Sequence, residues 1–291
     1  MELVTLWMAI GFLFAAYSVI ANDSVQTLGT WIASNNEKVN WKIMWGAASS
    51  VLLWALWYGW YQYGGDISYG RLNKIPFQEI QWYHAMAPLV LVILTRIKIP
   101  VSTTFLVLSV FASSLVMEKM LVKSFLGYAV SFVFDFRAWY LISKYILNEG
   151  EKGYDSHNNH WRIAQWVTTG WLWSTWLKHD MANIMVFLPR YHPSGDTIYE
   201  IFVIGVMLAG LAFMFWERGG KIQEIVLTKT NTRYVRSATL IDLVYCFVLF
   251  FFKELNDIPM STTFVFMGML AVSYTHLRAH ETEADLVCRL L

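Results

Sequence analysis

The sequence predicts an all-α integral membrane protein made of two inverted-topology copies of one unit, each with broken helices and a re-entrant hairpin. Three observations lead there. Charged residues make up 15% of the 291 and hydrophobic ones 56%, where soluble chains carry about 25% charged residues. The apolar residues gather into runs of bilayer length. One seven-residue motif occurs twice, in matching order with a second landmark. A net charge of +1 argues against a nucleic-acid partner, which needs a clustered basic face. Two cysteines, Cys246 and Cys288, are too few for a disulfide scaffold or a zinc site.

A bilayer demands about 17–25 apolar residues per helix. The first run, Leu3 to Ile20, has neither a basic leader nor a small-residue cleavage site, so it reads as a span that stays. A polar break at Asn22-Asp23-Ser24 follows, then a short apolar stretch near Leu28 to Ile32. Trp41 to Tyr63 is a second span, with Trp and Tyr crowding one end as interfacial belts do. Residues 64–82 read as a loop. His84 to Thr95 and Val101 to Met117 are each too short to cross. They flank Arg96, Lys98 and Pro100 and so read as a re-entrant hairpin. Phe125 to Ile146 completes the first unit, 1–148, and the polar residues 149–160 form a linker.

The second unit, 161–272, repeats the plan. Ile163 to Leu177 is apolar, breaks at Lys178-His179-Asp180, and resumes to Leu188. Thr197 to Trp216 is a span, 217–237 a charged loop, and Leu240 to Phe252 and Met260 to Val272 are the two hairpin arms. Ile99-Pro100-Val101-Ser102-Thr103-Thr104-Phe105 returns as Ile258-Pro259-Met260-Ser261-Thr262-Thr263-Phe264, 159 residues on, and Asp180 lies 157 residues after Asp23. Such self-similarity marks a duplicated unit. Three spans per unit would insert the copies upside down relative to each other. Inverted repeats with matched interruptions point to a secondary transporter with its site at the midplane. Loop 217–237 carries Arg218, Lys221, Lys229, Arg233 and Arg236 against Glu217 and Glu224. Its positive charge places it in the cytoplasm and the N-terminus outside.

Pro100 and Pro259 each read as the first turn of a half-helix. The N–H groups and hydroxyls of Ser102, Thr103, Thr104, Ser261, Thr262 and Thr263 would then face an oxyanion, favoured by the partial positive charge of a helix start. The bland reading of each motif is a helix cap; two matched copies argue for more. Asp23 and Asp180 are candidates for holding Na⁺ or exchanging a proton, with Asn22, Gln26 and Asn183 as amide ligands, since a carboxylate inside a membrane is costly. His84 and Asp242 lie 158 apart but differ chemically and are read as structural, as are Asp135 and Arg137. Lys178 is open between neutralising Asp180 and reaching an interface. Nothing here assembles a recognised enzyme motif.

Ala21-Asn22-Asp23-Ser24-Val25-Gln26 and His179-Asp180-Met181-Ala182-Asn183 resemble the Gly-Ala-Asn-Asp-Val-Ala-Asn-Ala motif of the inorganic phosphate transporter (PiT) family. Pro100 to Phe105 and Pro259 to Phe264 resemble its Pro-Val-Ser-Thr-Thr-His motif. The resemblance covers about residues 3–272. It implies co-transport of inorganic phosphate with Na⁺ or H⁺ across the cell membrane, often by a homodimer. It also implies an anion held by Ser102, Thr103, Thr104, Ser261, Thr262, Thr263, Asn22 and Asn183, with Asp23, Asp180 and Gln26 serving the cation. Gln26 and His179 stand where the family has Asn, and Phe105 and Phe264 where it has His, which bears on which anion and coupling ion are carried. Sulfate or another oxyanion is the alternative cargo; a non-transporting scaffold and an intramembrane enzyme are the alternative classes. Residues 273–291 change character abruptly, and from Tyr274 they resemble translated sequencing-adapter read-through. They are read as foreign to the protein, with a further span expected after Val272.

Overall fold

Helix follows helix along the chain. A computed structural model describes residues 2–142, 159–190, 198–229, 235–254 and 261–268, and every regular element among them is helical. Helix α1 (Glu2–Ser18) runs through one π turn (Val19–Asp23) into α2 (Ser24–Asn35). The polar break at Asn22-Asp23 is therefore a bulge inside a continuous helix. The Ser24 N–H reaches back five residues to the Val19 carbonyl, so one extra residue is accommodated without stopping the helix. Turns of this kind often mark functional sites.

Helix α3 (Trp41–Gln62) starts at Asn40, whose side chain accepts from the Lys42 N–H. Helix α4 (Trp82–Arg96) opens with a reciprocal cap in which His84 Nδ1 accepts from the Gln81 N–H. The second hairpin arm is shorter than the sequence suggested. It runs from Thr103 through a π turn (Thr104–Leu108) into α5 (Ser109–Phe111). Its successor, α6 (Ser114–Ile142), begins eleven residues before Phe125, since Ala112 takes an extended conformation that breaks the helix there.

In the second half, α7 (Asn159–Asp180) ends at the predicted break, and α8 (Ala182–Met185) resumes after a turn at Met181. Helices α9 (Ile198–Trp216), α10 (Gly220–Lys229), α11 (Val235–Glu254) and α12 (262–268) follow. Among the described residues the most extensive helix pairs are α7 on α11 and α1 on α4; in each, the helix leading to an Asp break lies against the helix that precedes a Ser-Thr-Thr motif. Pro259, most of the 149–160 linker and the whole 273–291 tail lie outside the described residues.

Among the described residues two helices are long and apolar enough to cross a membrane, Val4–Asn35 and Ile198–Trp216, and Ala238–Phe251 is a shorter apolar one. The surface fits that character. Trp54 and Trp57 on α3, Phe125 and Phe132 on α6, and Ile201 and Phe202 on α9 are exposed, whereas Asn22, Asp23, Thr104, Asp180 and Asn183 are buried. Large apolar side chains exposed along helix faces suit a lipid-facing or protein-covered surface.

Candidate functional site

The two Ser-Thr-Thr turns meet inside the helix bundle. Thr263 Oγ1 donates to the Val101 carbonyl at 3.0 Å, and the Phe105 and Phe264 rings stack with centroids 5.4 Å apart. All six hydroxyl-bearing residues, Ser102, Thr103, Thr104, Ser261, Thr262 and Thr263, are buried. The local geometry of the two turns matches. Ser102 Oγ accepts from the Phe105 N–H at 3.2 Å, and Ser261 Oγ from the Phe264 N–H at 3.2 Å. Each serine is thus the N-cap of its helix, and its side chain satisfies one of the donors that a helix start leaves over.

This corrects the expected role of Pro100. The described helix begins at Thr103, so Pro100 lies three residues before it and sets up the approach, while Ser102 makes the start. Capping does not consume the serines. A hydroxyl that accepts through a lone pair keeps its own proton to donate.

Asp23 and Asp180 flank the first turn from different helices. Asn22 Nδ2 donates to Asp23 Oδ1 at 2.6 Å and to the Val101 carbonyl at 2.6 Å, fixing the π turn against the motif. Gln26 Nε2 donates to Asn22 Oδ1 at 2.9 Å. From the other side, Thr104 Oγ1 donates to Asp180 Oδ1 at 3.1 Å, and Asn183 Nδ2 reaches both Thr104 Oγ1 and Asp180 Oδ1 at 3.3 Å.

The candidates therefore divide by what remains open. The Thr104 and Thr263 hydroxyls are committed to Asp180 and Val101, and the amide donors of Asn22 and Asn183 hold the scaffold. Buried oxygens of Thr103 (Oγ1), Gln26 (Oε1) and Asn183 (Oδ1) make no hydrogen bond. A buried polar atom left so costs about 1–3 kcal/mol. The two amide oxygens can only accept, which suits a cation; the Thr103 hydroxyl can donate, which suits an anion. Among the described residues no group of three His, Cys, Asp or Glu could hold a metal ion.

Several residues at this site gave no sequence signal. Ser124 of α6 accepts from the Ser261 N–H at 2.9 Å, and Tyr245 of α11 donates to the Thr262 carbonyl at 3.3 Å. Arg71, expected only as a loop residue, is buried; its Nε donates to the Lys178 carbonyl at 3.0 Å and its Nη2 to His179 Nε2 at 3.2 Å. The reason is local. Tyr69 and Gly70 both adopt positive φ, and the Asp66 carboxylate holds the Ser68 and Gly70 N–H groups, so the turn delivers Arg71 to the end of α7. A doubled left-handed turn is not readable from a tyrosine.

A second feature opens from the same region. A cavity of about 380 Å³ is walled by Tyr17, Ile20, Ala21, Thr95, Arg96 and Lys221 among others. Ile20 and Ala21 immediately precede Asn22, so the cavity adjoins the π turn. Near it, Lys98 forms an ion pair with Glu224.

No family model, curated protein or solved structure matches this chain.

Proposed function

We propose that this chain is a multi-pass secondary transporter of the cell membrane that carries inorganic phosphate with Na⁺ or H⁺. The supporting observation is the meeting of the two Ser-Thr-Thr turns, which brings two capped helix starts and the Ser102, Thr103 and Ser261 hydroxyls into one buried place. Helix starts favour an oxyanion through their free N–H groups and dipole. Asp23 and Asp180 oppose it, because two carboxylates repel a phosphate at close range. A cation bound with the anion removes that repulsion, which is the physical basis of coupling in this reading. In it the halves are inverted, the N-terminus lies outside and loop 217–237 faces the cytoplasm.

The test is uptake of ³²P-phosphate by proteoliposomes holding the chain, with an inward sodium gradient, with a proton gradient, and with neither. Saturable uptake driven by one of the gradients is expected. Asp180→Asn removes one of the repelling carboxylates and with it a cation ligand, so phosphate binding should lose its dependence on the driving cation while gradient-driven uptake falls. Competition by unlabelled sulfate at equal concentration would redirect the reading to a sulfate permease. No uptake and no anion binding by folded protein would overturn it in favour of a scaffold.

A further inference from the structure

A third buried carboxylate, besides Asp23 and Asp180, stands outside the contacts described for the Ser-Thr-Thr turns. Asp242, in the apolar helix α11, is 1% exposed. Its Oδ1 accepts from the hydroxyl of Thr30 on α2 and its Oδ2 from that of Thr169 on α7. These three helices pack on one another, so one oxygen cluster is drawn from both halves of the chain. Its two partners are neutral, and two hydroxyls only partly offset the cost of holding a carboxylate out of water.

The cluster belongs to a longer polar file. From the end of the π turn along α2, the buried residues Asp23, Thr27, Thr30 and Ser34 recur every three or four positions and so share one face. At the far end Gln165 of α7 donates to Ser34 Oγ at 2.6 Å and accepts from Asn35 Nδ2 at 2.9 Å. Asn35 Oδ1 and Gln26 Oε1, near opposite ends of the file, are buried oxygens without a hydrogen bond. A run of hard oxygen atoms through an apolar bundle suits a small cation. Toward the anion turn, Tyr245 sits one helical turn beyond Asp242 and donates to the Thr262 carbonyl.

We propose that Asp242, Thr30 and Thr169 form a separate binding site for one monovalent cation, a sodium ion or a proton. It lies on the oxygen-lined file between the Asn35 end of α2 and Asp23. Its service as the coupling site rests on the transport reading; cation binding itself does not. The buried ionisable groups on the elements around it are Tyr245 and Cys246 on α11, His179 and Asp180 on α7, Asp23 in the π turn before α2 and Lys123 on α6, with Lys178 of α7 half-buried. Of these, the Asp23 contribution is separated by its own variant.

The experiment follows thermal unfolding of the detergent-solubilised chain by tryptophan fluorescence, with no phosphate present. Sodium is titrated against choline at pH 8, and pH is titrated in choline. A saturable rise in Tm with sodium that is lost in Asp242→Asn and kept in Asp23→Asn supports a sodium site. No sodium response, with a pH dependence of Tm that Asp242→Asn flattens and Asp23→Asn keeps, supports a proton site. Should Asp242→Asn fail to fold, Thr169→Val is the second variant, with half-saturation expected to move about ten-fold. Titrations of Asp242→Asn or Thr169→Val that match wild type overturn the proposal, as does a response lost only in Asp23→Asn. Because phosphate is absent throughout, failure of phosphate uptake would leave this result standing.

Discussion

Equivalent corners of the two halves are built from opposite materials. In the second half, Thr169 of α7 and Asp242 of α11 meet with Thr30 in a hydroxyl–carboxylate cluster. The equivalent positions in the first half, 158 residues earlier, are Gly11 of α1 and His84 of α4. There a Cβ on Gly11 would lie 2.4 Å from the Phe187 ring; Phe187 packs edge-on against Phe111, and Phe111 stacks on His84. His84 spends its nitrogens on the helix start, Nδ1 accepting from Gln81 N–H and Nε2 facing Gln78 Oε1. One corner is aromatic packing, the other a buried carboxyl group held by two hydroxyls. The Ser-Thr-Thr turns, by contrast, remain matched to the same 3.2 Å cap. The two turns keep the same serine cap while the side chains at these two corners differ in kind.

The largest test of this contrast is Thr169→Gly, which gives the second corner the residue of the first. It strips one donor from a buried carboxylate and adds helix-interior backbone freedom, for a loss of roughly 3 kcal/mol in denaturant unfolding. The reverse exchange begins with Gly11→Ala. Its new methyl meets the Phe187 ring, and overpacking of this kind costs about 1–3 kcal/mol, read as a lower unfolding midpoint. A wild-type midpoint for Gly11→Ala would show that the aromatic corner is loosely packed and the contrast overstated. Next come Ser102→Ala and Ser261→Ala, each expected to lose about 0.5–2 kcal/mol as an N-cap. The two losses should match if the turns are equivalent; a clear difference between them would sharpen where the halves part.

The smallest effect belongs to the Lys98–Glu224 pair, which ties the first hairpin to α10. Both side chains are about half exposed, at 45% and 52%, and exposed pairs contribute little. Hydrogen bonding to Lys98 holds the Glu224 carboxyl below its usual range, against a small opposing effect of burial. A lowered carboxylate stabilises above its unfolded value, near 4.3, and loses that contribution as pH falls through the lowered one. Glu224→Gln should therefore leave the midpoint at pH 7 nearly unchanged and slightly flatten its fall on acidification.

Much of the arrangement is legible in the chain itself. Apolar run lengths yield the helices, and the spacing of Asp23, Ser102, Asp180 and Ser261 places four landmarks that the fold gathers around the first turn. Boundaries fared less well. The continuous helix through Asn22-Asp23 and the break at Ala112 depend on a π turn and one extended residue, neither of which has a composition signature. Arg71, Ser124 and Tyr245 escaped notice because their partners are backbone groups or residues 17 to 137 positions away.

Apolar periodicity and the repeated motif are local properties. They suffice to predict an all-helical chain with a helix start at each Ser-Thr-Thr motif, because helix formation and capping involve neighbours within four residues; that Ser102 rather than Pro100 makes the start came from the fold. That a buried aspartate meets two threonines was decided by the packing of α2, α7 and α11. Those contacts join residues 73 and 212 positions apart, and only the folded bundle determines which distant side chains must share the space from which water has gone.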